Sequence, residues 1–343
     1  MSFLQELWFF LLVFIIIIYV ILDGFDLGVG FWFFLTKGNR ERRTIIRTIA
    51  PFWDGNEVWL LAAGGVLFAA FPEVYATVFS TFYLPLVIVA FGLILRAVSI
   101  ELKNEFDSPL WEKLTDIGFI LGSLIPAVFF GILIGNLIQG IPLDETNNFS
   151  GTILTLINPY SLLIGVMSLV MMISHGAIYL RVRTTSELTE KIAKWAKIGL
   201  IGYFIINTIT LIISAFMHPH LHMNFIDAPL LIVVPIVGFL TILLSIWLII
   251  KEKSPVFSFI TSAISIALNI LGAGLAIFPN LVYASNNSSR NLTVYNASSG
   301  ELTLSTILGV ALIALPLVLA YTAWTYKTLS GTVELADLEE TIY

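Results

Sequence analysis

Cysteine is absent from all 343 residues, which excludes disulfides, iron–sulfur clusters and thiolate metal sites but leaves the compartment open. Charge is nearly as scarce: 12% of the residues are Asp, Glu, Lys or Arg, against about 25% in a soluble domain. No long basic run points to nucleic acid. There is no Walker A loop, no dinucleotide fingerprint and no Ser-His-Asp arrangement. No linker-like stretch and no clear internal repeat divide the chain, so residues 1–343 read as a single transmembrane domain. The net charge of −6 says little, because in such a chain the placement of charge matters more than its sum. Apolar residues fill the rest, at 58% of the sequence and a mean hydropathy of +0.94. The fold class is therefore an all-α polytopic membrane protein.

About nine stretches are long and apolar enough to span a bilayer: 8–35, 52–71, 75–100, 116–138, 159–180, 196–217, 229–250, 257–278 and 303–326. The first lacks a basic n-region, carrying Gln5 and Glu6 instead, and its apolar run exceeds the ~7–15 residues of a signal sequence, so it reads as a retained anchor. The second is the poorest of the nine, because Asp54, Asn56 and Glu57 occupy its first turn. Aromatic belts mark several span ends, as at Trp8, Trp32, Trp111, Tyr160, Trp195, Trp324 and Tyr326. Of the 17 Lys and Arg, 15 fall in odd-numbered loops or the C-terminal tail; Arg290 is in an even loop and Arg96 is inside a span. That asymmetry predicts an N-terminus outside and a C-terminus in the cytoplasm. The outer loops 139–158 and 279–302 are rich in Asn, Ser and Thr, and Asn148, Asn286, Asn287, Asn291 and Asn296 sit in Asn-x-Ser/Thr sequons. Solvated loop is the plainer reading than glycan acceptor. The segment Glu334–Tyr343 reads as a short, solvated acidic end.

The informative residues are acids in greasy surroundings. Asp23 and Asp26 are three apart, so a helix puts them on one face, and the same holds for Asp54 and Glu57. A carboxylate at bilayer depth costs roughly 2.5–3.5 kcal/mol on insertion scales and so marks a partner or a pathway. Under the topology above, Asp23 and Asp26 lie near the midplane, with Asp54, Glu57, Arg96, Glu101 and Asp116 in the cytoplasmic half. This is the form of a half-channel that opens to the cytoplasm and stops partway. Two readings stand side by side: a proton pathway through these seven residues, or a structural knot in which Arg96 pairs with Asp54 or Asp26 to pin helices together. His175, in Ser174-His175-Gly176, is a weak candidate for haem or metal ligation. So are His218, His220 and His222, in an outer His-Pro-His-Leu-His run. In both cases a structural role is the plainer one. The small-residue pairs Gly24/Gly28 and Gly131/Gly135 and the Gly272-Ala273-Gly274 run read as helix-packing positions.

Several strings together resemble one family. These are Asp23-Gly24-Phe25-Asp26-Leu27-Gly28, Pro51-Phe52-Trp53-Asp54-Gly55-Asn56-Glu57-Val58-Trp59, Gly64-Gly65-Val66-Leu67-Phe68 and Gly135-Asn136-Leu137-Ile138-Gln139-Gly140. They resemble subunit II of the cytochrome bd-type quinol oxidases, densely over the first ~185 residues and by hydropathy beyond. The resemblance implies a nine-helix subunit in a bacterial or archaeal cytoplasmic membrane. Its partner would be subunit I, which bears two haems b and one haem d, oxidises membrane quinol and reduces dioxygen to water. A small single-helix subunit often completes such a complex. By the same resemblance Asp26 and Asp54 match acids linked with proton delivery, and Arg96 matches a basic position. Glu57 stands where some members carry Gln, and His175 where others carry Gln, which argues against haem ligation. A bound quinone or lipid is left open. The runner-up is a proton-coupled secondary transporter, which calls for broken helices in two related halves. A structural scaffold for subunit I is the third reading.

Overall fold

The chain is described by a computed structural model covering residues 1–103, 105–106, 108–185 and 188–334; the acidic end from 335 onward lies outside the described residues. The helices are α1 (Ser2–Phe33), α2 (Gly38–Ile49), α3 (Trp53–Ala70), α4 (Pro72–Thr81), α5 (Tyr83–Glu101), α6 (Pro109–Gln139), α7 (Ile153–Leu156), α8 (Pro159–Arg183), α9 (Leu188–Met217), α10 (Met223–Asp227), α11 (Val233–Ile250), α12 (Pro255–Ile277) and α13 (Glu301–Thr328). A two-stranded antiparallel ribbon, β1 (Asn280–Val282) with β2 (Leu292–Thr293), lies between the last two helices.

Among the described residues eight helices are long and apolar enough to cross a membrane. Of the nine stretches expected from sequence, 52–71 falls short of that measure. It is helical as α3, but its first two turns hold Asp54, Asn56 and Glu57. The stretch 75–100 is not one helix. It breaks at Phe82, between α4 and α5. Pro85 supplies the reason: it has no N–H for the Thr81 carbonyl, and its ring crowds that carbonyl. The basic first loop also has structure of its own. It folds as α2, an amphipathic helix that buries Thr44, Ile45, Ile46 and Ile49 and leaves its arginines partly or fully exposed.

The bundle is built around α1 and α8. Helix α1 packs against α3, α6, α8 and α12, and α8 is the most enclosed of the spanning helices. The two meet with their backbones in contact. A Cβ on Gly28 would lie 1.9 Å from the Met172 carbonyl oxygen, and one on Gly176 would lie 2.6 Å from the Gly28 carbonyl carbon. No larger residue fits this crossing, and it carries Asp26 and His175 with it. Helix α13 is at the other extreme, with 6% of its apolar window inside the bundle.

The polar loops 139–158 and 279–302 fold onto each other. Ile141 bridges Ala284, with Ile141 N donating to Tyr283 O and Ser285 N to Ile141 O, both at 2.9 Å. The sequon asparagines are structural members of this cap. Asn286 accepts from Leu143 N and donates to Leu143 O, Asn291 accepts from Ala284 N, and Asn296 accepts from Thr293. Nearby, backbone and side-chain donors from Asn148 and Thr146 hold the Asp144 carboxyl below the usual carboxylate range.

Candidate functional site

Four helices converge on one buried cation. Arg96 of α5 is wholly enclosed, and its Nη2 donates to Asp23 Oδ1 of α1 and to Glu57 Oε1 of α3, each at 2.5 Å. The fourth wall is α6, brought close by glycine. A Cβ on Gly122 would lie 2.6 Å from both Arg96 N and Gly92 O. Helix α6 thus lies against the α5 backbone at Arg96. Removing a guanidinium from water costs several kcal/mol unless acids surround it, and Asp23 and Glu57 supply that compensation.

Asp26 lies one helical turn from Asp23, but its partner is different. Asn56 Nδ2 donates to Asp26 Oδ2 at 2.8 Å and to Leu22 O at 3.3 Å. This fixes the amide orientation, so Asn56 Oδ1 is left to accept from Tyr326 Oη at 2.9 Å. Tyr326 belongs to the last helix and stacks on Phe52 at 4.4 Å between ring centroids. Several polar atoms of the knot have no hydrogen-bond partner among the described residues: Asp23 Oδ2, Asp26 Oδ1, and Arg96 Nε and Nη1. Each of the two aspartates therefore keeps one carboxylate oxygen open.

Of the seven residues expected to act together, the structure gathers four, Asp23, Asp26, Glu57 and Arg96. The expected pairing of Arg96 with Asp54 or Asp26 is corrected to pairing with Asp23 and Glu57. Asp54 lies in the first turn of α3 and points out of the bundle, where its Oδ1 accepts from Gly55 N at 2.6 Å. Its neighbour Glu57, one turn on, is reached through a side chain that is still 23% exposed. Glu101 is exposed at the far end of α5. Asp116 belongs to a separate cluster, gripped by Lys103 Nζ and, at 2.5 Å, by Arg42 Nη1.

Sequence reasoning did not assign Asn56 or Tyr326. Asn56 sits inside the quoted Trp-Asp-Gly-Asn string, but an amide does not titrate and drew no role. Tyr326 reads from sequence as an interfacial belt residue. No local signal places it opposite residue 56.

His175 offers no free nitrogen to a haem. His175 is enclosed, with Nδ1 at 2.9 Å from Ser262 Oγ and Nε2 at 3.2 Å from Ile21 O, and its ring stacks on Phe259. Both ring nitrogens are engaged, so neither can face an iron. The outer histidines diverge. His218 lies on Tyr160 and His220 on Tyr283, and the Nε2 atoms of His220 and His222 meet the carbonyls of Ile138 and Ala215. Burial and the neighbouring His220 hold the His218 imidazole below its ordinary pKa.

A family model described as cytochrome bd terminal oxidase subunit II matches residues 4–329. The chain is 35% identical to cytochrome bd-I ubiquinol oxidase subunit 2 of Escherichia coli (strain K12), covering 98% of this chain and 97% of that one. It is 34% identical to cytochrome bd ubiquinol oxidase subunit 2 of Bacillus subtilis (strain 168), covering 95% and 96%. Its fold matches a chain of the bd oxidase from Geobacillus thermodenitrificans with a TM-score of 0.80 at 16% identity, over 96% of this chain and 98% of that one.

Proposed function

This chain belongs to the cytochrome bd terminal oxidase subunit II family, and from that premise we propose that it carries protons toward a haem-bearing subunit I without binding haem itself. It is a multi-pass membrane subunit of an oxidoreductase complex that contains haem, and subunit I is its partner. Family membership over nearly the whole chain leaves the transporter reading without support. In this proposal the two haems b and the haem d reside in subunit I, where quinol is oxidised and dioxygen reduced to water. The engaged nitrogens of His175 favour that division. A small single-helix subunit and bound lipids complete the assembly.

The observation that supports the proton role is the buried knot. Three carboxyls, Asp23, Asp26 and Glu57, gather about one guanidinium. Acid is in excess there, in a setting where an additional charge is costly, and that favours a group able to hold and pass a proton. Protons enter at the end of the bundle that carries Glu101 and Asp116, taken as cytoplasmic from the placement of Lys and Arg. They are collected at Asp54 and Glu57, pass Asp23 and leave by Asp26. Asp116, held by two cations, anchors the mouth. Asp54 points outward from α3, and a charge at that depth favours a protein neighbour over lipid, so α3 is the face that meets subunit I.

Purification of the chain from its native membrane in mild detergent, followed by a visible difference spectrum, tests the assignment: a larger subunit with b- and d-type bands is expected. In that complex, Asp26→Asn and Asp54→Asn should lower turnover per haem on the order of a hundredfold. Unchanged turnover in an intact complex would sink the proton route and leave the scaffold reading.

A further inference from the structure

Two adjoining clefts, of about 340 and 310 Å³, open where the end of α1, the amphipathic α2 and the start of α6 meet. They share Asn39, Pro109 and Glu112 as a common wall. Arg42 and Lys113 line one, and Arg43 and Lys103 line the other. Against these four cations stand two acids, Glu112 and Asp116, so the lining is cationic by two charges at neutral pH. Asp116 holds Lys103 and one Nη of Arg42, while the buried Nε of Arg42 has no hydrogen-bond partner among the described residues. The first turn of the 31-residue α6 begins at the shared wall, and Ser108 makes no side-chain cap to it. Its partial positive charge adds to that of the side chains. Cations from α2, from α6 and from the segment between α5 and α6, together with a helix start, form a setting for an oxyanion with several oxygens.

The remaining walls are apolar. Phe33 and Phe34 line the larger cleft, and Phe34 is 66% exposed. From that cleft Leu114, Ile117 and Leu121 run along the outward face of α6, all exposed. Their spacing of three and four residues makes one stripe leading from the charged mouth along the helix. A phosphate free in solution has no use for such a stripe, whereas an acyl chain does.

We propose that these clefts bind the phosphodiester headgroup of an anionic membrane phospholipid, with its acyl chains laid along Leu114, Ile117 and Leu121. The lipid bridges α2 to α6 beside the Arg42–Asp116 contact and so fixes the amphipathic helix at the membrane surface. The site is separate from the Arg96 knot and does not depend on the proton role. It relies on the placement of basic residues that puts this end of the bundle at the cytoplasmic leaflet, where anionic lipid attracts basic side chains.

The test uses the chain with whatever partner co-purifies, stripped of lipid by detergent exchange and titrated with phosphatidylglycerol, phosphatidylcholine or inorganic phosphate. Native mass spectrometry counts retained lipid. Phosphatidylglycerol should be retained in preference to phosphatidylcholine, and millimolar phosphate should not displace it. The double variant Arg43→Gln/Lys113→Gln should lose that preference on the order of tenfold. Lys251→Gln/Lys253→Gln, which removes as much charge from the same end of the bundle outside the clefts, should keep it. Equal preference in the two double variants would reduce the effect to general surface charge and overturn the site. Displacement by inorganic phosphate would assign the clefts to a soluble anion and overturn the lipid.

Discussion

Arg96 is the residue on which the interior depends most directly. With one side chain it ties α1, α3 and α5, and nothing else in the knot carries positive charge. Arg96→Met would leave Asp23 buried with no counter-charge, a change that costs about 3–5 kcal/mol. A lower melting temperature and a reduced yield of assembled complex are the expected readouts. Tyr326 acts at one remove. Tyr326→Phe leaves Asn56 Oδ1 without its donor in a buried position, at a cost of about 1–3 kcal/mol. Asn56 then keeps only its Nδ2 contacts to Asp26 and Leu22 O, and the amide facing Asp26 is held less firmly. The pH profile of turnover should shift, whereas a purely structural role would lower stability and leave the profile in place. At this scale the acids were legible in the sequence, because a carboxylate inside an apolar run stands out without any model of the fold. Their partners were not. Asp23 and Asp26 share one face of α1, yet one meets Arg96 and the other Asn56. That choice is set by how α3 and α5 are rotated about α1, and no spacing rule within one helix contains it.

Between residues and fold, the elements divide by how closely their backbones approach. Glycine at positions 28 and 176 lets α1 and α8 touch. Gly28→Ala would put a methyl group inside the contact radius of Met172 O, so the helices must separate, at a cost of about 1–3 kcal/mol. Gly309→Ala, inside α13 where an added Cβ meets nothing within 4 Å, should be neutral or slightly stabilising, and a pair of thermal unfolding curves distinguishes the two. Sequence named Gly28 as a packing position but not its partner Gly176. The break at Phe82 was also within reach, since Pro85 is visible in the chain, but a continuous apolar run masks it. Helix α2 was read as a loop because its charges dominate a window average. Its Thr44, Ile45, Ile46 and Ile49 face becomes evident only at the helical period.

For the whole molecule, the proposed contact of α3 with subunit I gives a prediction of its own. On α3, Leu61, Gly65 and Phe68 lie along one exposed stripe, and a Cβ on Gly65 would meet nothing within 4 Å. Gly65→Leu should therefore leave this chain folded while obstructing subunit I, read as loss of the larger band in the pull-down with this chain still present. The all-α membrane class followed from composition, because hydropathy reports a property of whole segments. Which face stays bare could not follow, since spans exposed to lipid and spans exposed to a partner have the same composition.

Helix α13 makes its long-range side-chain hydrogen bonds to the bundle at two levels, where Trp8 Nε1 donates to Leu304 O at 3.0 Å and where Tyr326 reaches Asn56. This arrangement has a consequence for biosynthesis. The charged residues of the knot have all been synthesised once residue 96 has been made, but the amide that faces Asp26 gains its contact from the last helix only after residue 326 has been made and inserted. During most of translation the knot is therefore incomplete. A chain that stops before residue 326 inserts its acids without the hydroxyl that holds Asn56 Oδ1.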